Sequence, residues 1–444
     1  MQFYLVNLGC PKNAVDAEGM ATRLVAAGHR PAASPRDADL LIVNTCGFVA
    51  AARAESLETL RQLSRRKRRG QLLIAAGCLA EREGERLVAR APGVDGYIGT
   101  RHWSQIVPLV EEVARRHRRG PICGPLGGPA DLVAPMERAP AGATAYIKIA
   151  DGCDAPCTFC AIPQIKGPQR SKPRQAILAE ARALVERGAR ELILIAQDTT
   201  AYGRDLGDTQ GLAGLLSALL QEVPDVVWLR LLYAYPQHVD GRLIEVLASD
   251  PRICHYLDLP LQHAHPDVLR RMRRPHDPEH TRRLIEKLRT AIPDIALRTT
   301  FIVGFPGETE AEFQALLDLM AEVRFDRVGI FTYSREAGTA AAAMPGQVAP
   351  HLRQERYERA MVAQQRISLE RNREQIGRTL PVLCEGTQDS TSIARSYRDA
   401  PEIDGLVLVE GVQAVGEIAP VTITGALEYD LLARPVQEAV AAGS

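Results

Sequence analysis

The chain has no excess charge of either sign: 54 Lys and Arg balance 54 Asp and Glu. A dedicated nucleic-acid binder carries a surplus of basic residues, so this balance argues against that class. No apolar run approaches the ~18 residues needed to cross a bilayer. The N-terminus, MQFYLVNLGCPKN, lacks a basic segment followed by a long apolar stretch. Neither a membrane span nor a signal peptide is therefore expected, and the expected setting is cytosolic. Internal repeats and low-complexity tracts are absent as well. In a cytosolic chain, nine cysteines do not read as a disulfide framework; clustered ones read as metal ligands or redox groups.

What is present is an ordinary globular composition, with 46% apolar and 24% charged residues over 444 positions. That length suits roughly two to four domains. FYLVN (3–7), LLIVN (40–44) and LLIAA (72–76) read as strands, and Asp16 to Ala27 as a helix closed by Gly28. Short apolar runs separated by helices imply parallel strands with crossovers. Each of the three strands is followed at once by a cysteine, Cys10, Cys46 and Cys78. Ligands of parallel α/β sheets bind beyond the carboxyl ends of the strands. Thiols 36 and 32 residues apart in sequence could thus converge on one object.

Residues 120–144 are rich in Gly, Pro and Ala and read as a linker. A second series follows: AYIKIA (145–150), ELILIA (191–196), VVWLRLLY (226–233), YLDLPL (256–261), LRTTFIVG (297–304) and RVGIFTYS (327–334). Helical patterns such as Arg174 to Arg187 and Glu310 to Val323 separate the runs, which suggests a partial (βα)6 TIM-like barrel. Residues 350–377 read as one long charged helix. Beyond it, LPVLCEG, GLVLVEG and VTITGALEYDLL suggest a small all-β barrel-like module. The expected class is therefore α/β with a β appendage. Its parts are an N-terminal parallel α/β domain at 1–120, a linker at 121–143, the barrel at 144–375 and the β module at 376–444.

The sharpest signal is GCDAPCTFC, which spaces Cys153, Cys157 and Cys160 as C-x3-C-x2-C. Three thiolates on one tight loop can each bind one iron of a four-iron cluster, leaving the fourth iron open to an outside ligand. A structural zinc site would want a fourth Cys or His at short spacing. An electron carrier would supply four cysteines. The loop directly follows the first barrel strand, where such barrels place their chemistry. For Cys10, Cys46 and Cys78 the plainer alternative is three buried small apolar residues. Their shared place at strand ends favours a second cluster.

This spacing after the first strand of a partial barrel resembles that of the radical S-adenosylmethionine (SAM) enzymes. The resemblance implies that SAM chelates the open iron through its amino and carboxylate groups. The reduced cluster then cleaves the sulfonium to a 5′-deoxyadenosyl radical, a step no side chain supplies alone. LGCPKNAVDAE, NTCGFV and AGCLAER are similar to the N-terminal domain of the methylthiotransferase family. In that family these positions bind an auxiliary four-iron cluster that carries the sulfur to be inserted. With a C-terminal module similar to the TRAM fold, the resemblance covers nearly the whole chain. KIADGCDAPCTFCAIPQIKG, YLDLPLQHAHPDVLRRMRR, TTFIVGFPGETEAEF and RSYRDAPEIDG most resemble the branch that modifies an aspartate of ribosomal protein S-twelve.

That branch implies two 4Fe-4S clusters, on Cys153, Cys157 and Cys160 and on Cys10, Cys46 and Cys78. It implies one SAM that methylates the cluster-borne sulfur and a second that is cleaved. The methylthio group goes to the β-carbon of the aspartate, in the free ribosomal protein or in the small subunit. Flavodoxin or ferredoxin would be the reductant. The rival within the same chemistry is a tRNA adenosine methylthiotransferase. The rival from another class is a non-catalytic iron–sulfur electron carrier. One departure is that the usual Arg-Gly and Arg-Ser-Arg after the loop stand here as Lys166-Gly167 and Arg170-Ser171-Lys172. Arg and Lys are not equivalent at a bidentate site.

Charge gives an independent test of the branch. From 378 to 444 four arginines face ten carboxylates, a net of −6. An RNA-binding module must neutralise phosphates; an acidic one repels tRNA and steers a basic ribosomal protein toward it. The run Arg65-Arg66-Lys67-Arg68-Arg69 points the other way. It reads either as a solvated helix end near Gly70 or as a contact with RNA or a carboxylate-rich surface. Weaker candidates lie at the barrel strand ends. Arg298 is a candidate for the SAM carboxylate, or else a structural ion pair. Gln197 and Gln262 are candidates for contact with SAM or substrate, or else hydrogen-bonded barrel residues. The GFPGET loop (304–309) should face the SAM pocket. His255, His263 and His265 near Cys254 do not read as a metal site, and Cys123, Cys254 and Cys384 read as bystander thiols.

Overall fold

The computed structural model describes residues 1–116, 120–132, 138, 140 and 142–436. The first sheet holds β1 (Gln2–Asn7), β2 (Arg30–Pro31), β3 (Leu40–Thr45), β4 (Leu72–Gly77), β5 (Gly96–Gly99) and β6 (Ile122–Cys123). They lie in the order β2-β1-β3-β4-β5-β6, and every pair is parallel. β3 and β4 are buried along their whole length, which is why they read as unbroken apolar runs. The two-residue strands β2 and β6 and the Gly-flanked β5 carry no such run, so the sequence did not announce them. Part of the stretch read as a linker is structured: β6 extends the sheet, and buried Arg138 pairs with Glu18 at 2.6 Å and with Glu180.

Three of the helices on this sheet follow the cysteine-bearing strands, α1 (Pro11–Ala26), α2 (Ala50–Arg66) and α3 (Cys78–Glu83). α1 begins at Pro11 rather than Asp16. Proline at the first turn loses no hydrogen bond, and Cys10 takes the extended N-cap position. Because β1, β3 and β4 are neighbours, the register sets Asn7 beside Asn44 and Thr45 beside Gly77. Their carboxyl ends are level, and the chain reverses direction across the sheet between β1 and β3. A ligand crevice belongs at that switch point.

The second sheet contains β7 (Thr144–Lys148), β10 (Glu191–Ile195), β11 (Trp228–Leu231), β12 (Ile253–Asp258), β13 (Ala296–Val303) and β14 (Arg327–Thr332). All six expected strands are present, parallel, in an open sheet of order β14-β13-β12-β11-β10-β7. The first expected strand ends at Lys148. Beyond it β8 (Ala150–Asp151) pairs antiparallel with β9 (Arg170–Ser171), and the hairpin brackets the cysteine loop. One face of each strand packs on the helices through residues such as Leu192, Leu194, Leu229 and Leu257.

The last five strands are β15 (Thr379–Gln388), β16 (Thr391–Ser396), β17 (Val407–Glu410), β18 (Ile418–Ala426) and β19 (Leu431–Pro435). They close into a barrel in the order β15-β16-β17-β19-β18. This barrel seats against the face of the second sheet opposite its helices: Leu383, Ala394 and Tyr397 share one apolar cluster with Ile193, Ile195 and Tyr256. Buried ion pairs fasten it, with Glu191 between Arg230 and Arg395 at 2.6 Å each, and Arg327 on Asp399 at 2.6 Å. The helix Pro350–Arg373 is half-buried despite its charge: Arg356, Gln364 and Asn372 face inward and bind Glu308, Phe325 O and Leu427 O. Among the described residues no helix is long and apolar enough to cross a membrane.

Candidate active site

The loop carrying Cys153, Cys157 and Cys160 runs from β8 to the short helix Ile162–Lys166. It lies so close to the return strand that a Cβ on Gly152 would stand 2.1 Å from the Pro168 carbonyl oxygen, and Gly152 has φ of +79°. Only glycine fits there. The Cys153 amide donates to Gly167 O at 3.1 Å. Backbone amides are aimed at two of the sulfurs: Ala155 N donates to Cys153 Sγ and Ile162 N to Cys160 Sγ, each at 3.4 Å. Nη1 of Arg274 lies 3.9 Å from Cys157 Sγ, and its guanidinium stacks 4.1 Å above the Tyr235 ring. N–H donors and a nearby cation favour thiolate over thiol. Without metal, burial holds Cys153 at about 11 and Cys160 at about 12. An iron ion must therefore displace protons to bind.

The donor set fits a cluster better than a single ion. Among the described residues, the one His, Cys, Asp and Glu group whose ligand atoms all fall within 4.8 Å of each other is His265, Asp267 and Glu312. That group is structural, since Glu312 completes the capping box with Thr309 and pairs with Arg271 at 3.1 Å. The three sulfurs of the cysteine loop do not form such a group, so they are not gathered around a single-ion position. GFPGET packs on this loop: Phe159 meets Phe305 edge-on at 6.5 Å, and Phe305 meets Tyr333 at 5.4 Å. Glu308 knits the turn by accepting from Gly304 N at 3.0 Å and from Arg356 at 2.8 Å.

The adjacency of β1, β3 and β4 brings Cys10, Cys46 and Cys78 together. Burial raises the Cys78 thiol to about 12, Lys166 opposes that rise, and charge on Cys10 or Cys46 adds to it. Gly47 allows the approach, because a Cβ there would stand 2.6 Å from the Cys78 carbonyl oxygen. Asn13 on α1 places its Oδ1 3.4 Å from Cys78 Sγ and donates through Nδ2 to Thr45 O at 3.1 Å. Cys78 itself packs on Ala161 and Ile165. The short helix after one thiol trio is thus in direct contact with the other.

A buried ionic network locks the two domains at this junction. Asp16 of α1 pairs with Lys148 and, at 3.5 Å, with Lys166. Lys166 also reaches Asp151 at 3.1 Å and Thr100 Oγ1 at 2.7 Å. Burial alone would raise the Asp151 carboxyl, but Lys148 and Lys166 hold it well below the usual carboxylate range. Lys166 therefore serves as a point charge among three oxygens, and Lys172 pairs with Glu180. Neither site demands the guanidinium fork.

Gln197 donates from Nε2 to Asp151 at 3.0 Å, and its buried Oε1 has no partner. Gln262 is half-buried with a left-handed φ of +75°. Its backbone is pinned by Thr300 O and Ile302 N, each at 2.8 Å. Strain of this kind persists only where the surroundings enforce it. Arg298 is matched by Asp258 at 2.8 Å and Asp404 at 3.4 Å, so the geometry supports the structural alternative for it. His255 pairs with Asp294 at 2.6 Å and buried His263 approaches Glu308 at 3.4 Å. The sequence reading passed over Arg274, Asp16, Asp151 and Lys12. Lys12 directs Nζ to Ala196 O at 3.3 Å and to the Tyr233 ring, 3.3 Å from its centroid. Only the place of Lys12 two residues after Cys10 could have flagged it. A cleft of about 540 Å³ lies elsewhere, between Thr144, Arg190, Cys384 and Glu417, and holds none of these groups.

Residues 2–99 match the family described as Uncharacterized protein family UPF0004, residues 147–320 the Radical SAM superfamily, and residues 376–436 the TRAM domain. Fold and site together define a radical SAM enzyme, whose class uses SAM and a 4Fe-4S cluster. The fold is similar to that of the radical SAM methyltransferase TsrM from Kitasatospora setae, at TM-score 0.54 and 16% identity over 77% of this chain and 76% of that one. Among curated relatives, ribosomal protein uS12 methylthiotransferase RimO of Roseiflexus castenholzii is 50% identical over 97% of this chain and 95% of its own. The enzymes of the same name from Chloroflexus aurantiacus and Geobacter sulfurreducens are 50% and 44% identical, over 97% and 96% of this chain and 99% and 97% of their own. The chain belongs to this family of ribosomal protein methylthiotransferases.

Proposed function

We propose that the enzyme transfers a methylthio group to the β-carbon of an aspartate in ribosomal protein S-twelve, in the cytoplasm. Cys153, Cys157 and Cys160 hold one 4Fe-4S cluster, and Cys10, Cys46 and Cys78 hold a second. The observation that carries this reading is the contact of Cys78 with Ala161 and Ile165, which sets the two thiol trios on one junction. When bound, the clusters and SAM supply the reductive cleavage, the hydrogen abstraction and the methylthio group. The chain's own residues hold, orient and shield. Arg274 and the amides of Ala155 and Ile162 stabilise charge on the thiolates. The Asp16, Lys148, Asp151 and Lys166 network fixes the angle between the domains and so the spacing of the trios. A misplacement of ~1 Å in such a site can cost about 100-fold in rate. Gln197 Oε1 and the strained Gln262 are assigned to contacts with SAM or substrate. Arg298 ties the TRAM barrel to the second sheet.

Charge on the C-terminal barrel supports a protein substrate. Arg395 and Arg398 are buried, which leaves Arg378 and Arg434 exposed against Glu385, Asp389, Glu402, Glu410, Glu417 and Glu428. These exposed groups carry a net charge of −4, which suits a basic ribosomal protein. The opposing basic run is partly engaged at home: Lys67 pairs with Asp95 at 2.6 Å, and Arg68 donates to Ala38 O at 2.8 Å. Flavodoxin or ferredoxin is the reductant. The test is to incubate the reduced holoenzyme with S-twelve, free and in the small subunit, and with tRNA, and to look for the mass gain of a methylthio group. Gain on the protein is expected; gain on tRNA alone would overturn the reading.

A further inference from the structure

We propose that the ammonium of Lys12 binds the side-chain carboxylate of the target residue and is what makes the enzyme select aspartate over asparagine. This inference rests on the substrate reading above.

Lys12 is 8% exposed, and among the described residues it has no carboxylate partner. The other buried lysines all have one: Lys148 has Asp16, Lys166 has Asp151, and Lys172 has Glu180. Lys12 has a single carbonyl, Ala196 O, and the face of Tyr233. A buried ammonium with three donors and no counter-ion is costly. A site that tolerates one is built to receive an anion.

Its placement is enforced from several sides. Lys12, Val15 and Asp16 share one face of α1 by their i, i+3, i+4 spacing. Val15 is fully buried in the apolar cluster of Ile193, Ile195 and Leu232, and Asp16 enters the ionic network. That face therefore packs on the second sheet near the ends of β10 and β11 and carries Lys12 with it. Ala196 directly follows β10 and precedes Gln197, whose buried Oε1 is without a partner. Tyr233 follows β11 with a left-handed φ of +63°, held by donation from its amide to Asp258 Oδ2 at 3.0 Å. The ammonium thus stands at the carboxyl ends of two barrel strands, two residues from Cys10.

The chemistry explains the use. The carboxylate of an aspartate is bonded directly to its β-carbon. An ion pair to that carboxylate fixes the reacting carbon within one bond, between the two thiol trios. Asparagine, of the same shape, offers no charge. The methionyl carboxylate of SAM carries the same group, so the test must separate the two sources.

The experiment measures equilibrium binding of the holoenzyme to an S-twelve peptide carrying the target aspartate and to the same peptide with asparagine. It compares wild type, Lys12→Gln and Lys12→Arg, and measures SAM affinity alongside. Wild type is expected to prefer the aspartate peptide by about tenfold or more, a size typical of a desolvated charge pair. Lys12→Gln is expected to bind both peptides alike, and Lys12→Arg, which keeps the charge and controls for folding, to recover part of the preference. A Lys12→Gln enzyme that keeps the wild-type preference would overturn the inference. So would one that keeps it while losing SAM affinity, which would assign Lys12 to SAM. Wild type that binds neither peptide and modifies tRNA would instead sink the substrate reading itself.

Discussion

Replacing Asp16 with Asn keeps the shape of the side chain and removes one of two carboxylates from a sealed network. Asp16 and Asp151 are each 1% exposed, and Lys148 and Lys166 each 3%. Two ammoniums face two carboxylates in the wild type and one in the variant, leaving a buried cation without a counter-ion. Removing one partner of a buried pair costs about 3–5 kcal/mol. Asp16 lies on α1, whereas Lys148, Asp151 and Lys166 belong to the second sheet and its cysteine loop, so the loss falls on the docking of the two domains. At ~2–4 °C per kcal/mol for a domain of this size class, the first calorimetric transition should fall by roughly 6–20 °C. Hydrogen exchange should report earlier opening at α1. Adding Lys148→Met restores charge balance and should recover part of the loss. Methylthio transfer should fall further than SAM cleavage, because in the proposed reaction only transfer needs both trios in register. A midpoint within about 1 °C of wild type would refute the reasoning, since it would mean that water screens the network.

Other outcomes follow from the same structure. Gly47→Ala puts a Cβ against the backbone of Cys78, and Gly152→Ala puts one against Pro168 O. Each should lower bound iron by about half, the first at the N-terminal trio and the second at the barrel loop; full iron in either variant would count against these close approaches. Burial pushes the Glu191 carboxyl up, but Arg230 and Arg395 together hold it at about 2, below its ordinary 4.5. A depressed carboxylate contributes stability that is present above pH ~4.5 and is lost as pH falls toward ~2, here about 3 kcal/mol. Acid should therefore loosen β15 and β16 in hydrogen exchange across that window, and Glu191→Gln should abolish the pH-dependent step; an unchanged acid profile would contradict it. Arg395→Met should destabilise by about 3–5 kcal/mol in denaturant melts. Replacing Arg230, Glu191 and Arg395 together with apolar residues should cost far less.

Much of the architecture was written locally. The apolar runs that became β3, β4 and β10 to β14 are long and bounded, and the three thiols after β1, β3 and β4 could be seen as a set before any sheet order was known. The acidic C-terminal module was likewise a matter of counting. What escaped were elements too short to show a period, β2 and β6, and residues whose partners are remote in sequence. Lys148 and Asp16 are 132 residues apart, and Arg274 and Cys157 are 117 apart. Pairs at such separations leave no spacing to read. Arg298 shows the same limit: its place on a strand entering the site suggested a ligand contact, but Asp258 and, from the far end of the chain, Asp404 claim its charge. Lys166 and Lys172 stand where the resemblance led one to expect arginines, and each meets its carboxylate partner as a point charge.

The most direct test of the whole account is the iron and acid-labile sulfide content of the anaerobically reconstituted enzyme. It should be set beside a variant with Cys10, Cys46 and Cys78 all changed to Ala. About eight of each per wild-type chain and about four in the variant are expected, one cube per thiol trio. About four in both would leave the N-terminal trio without a cluster and contradict the account.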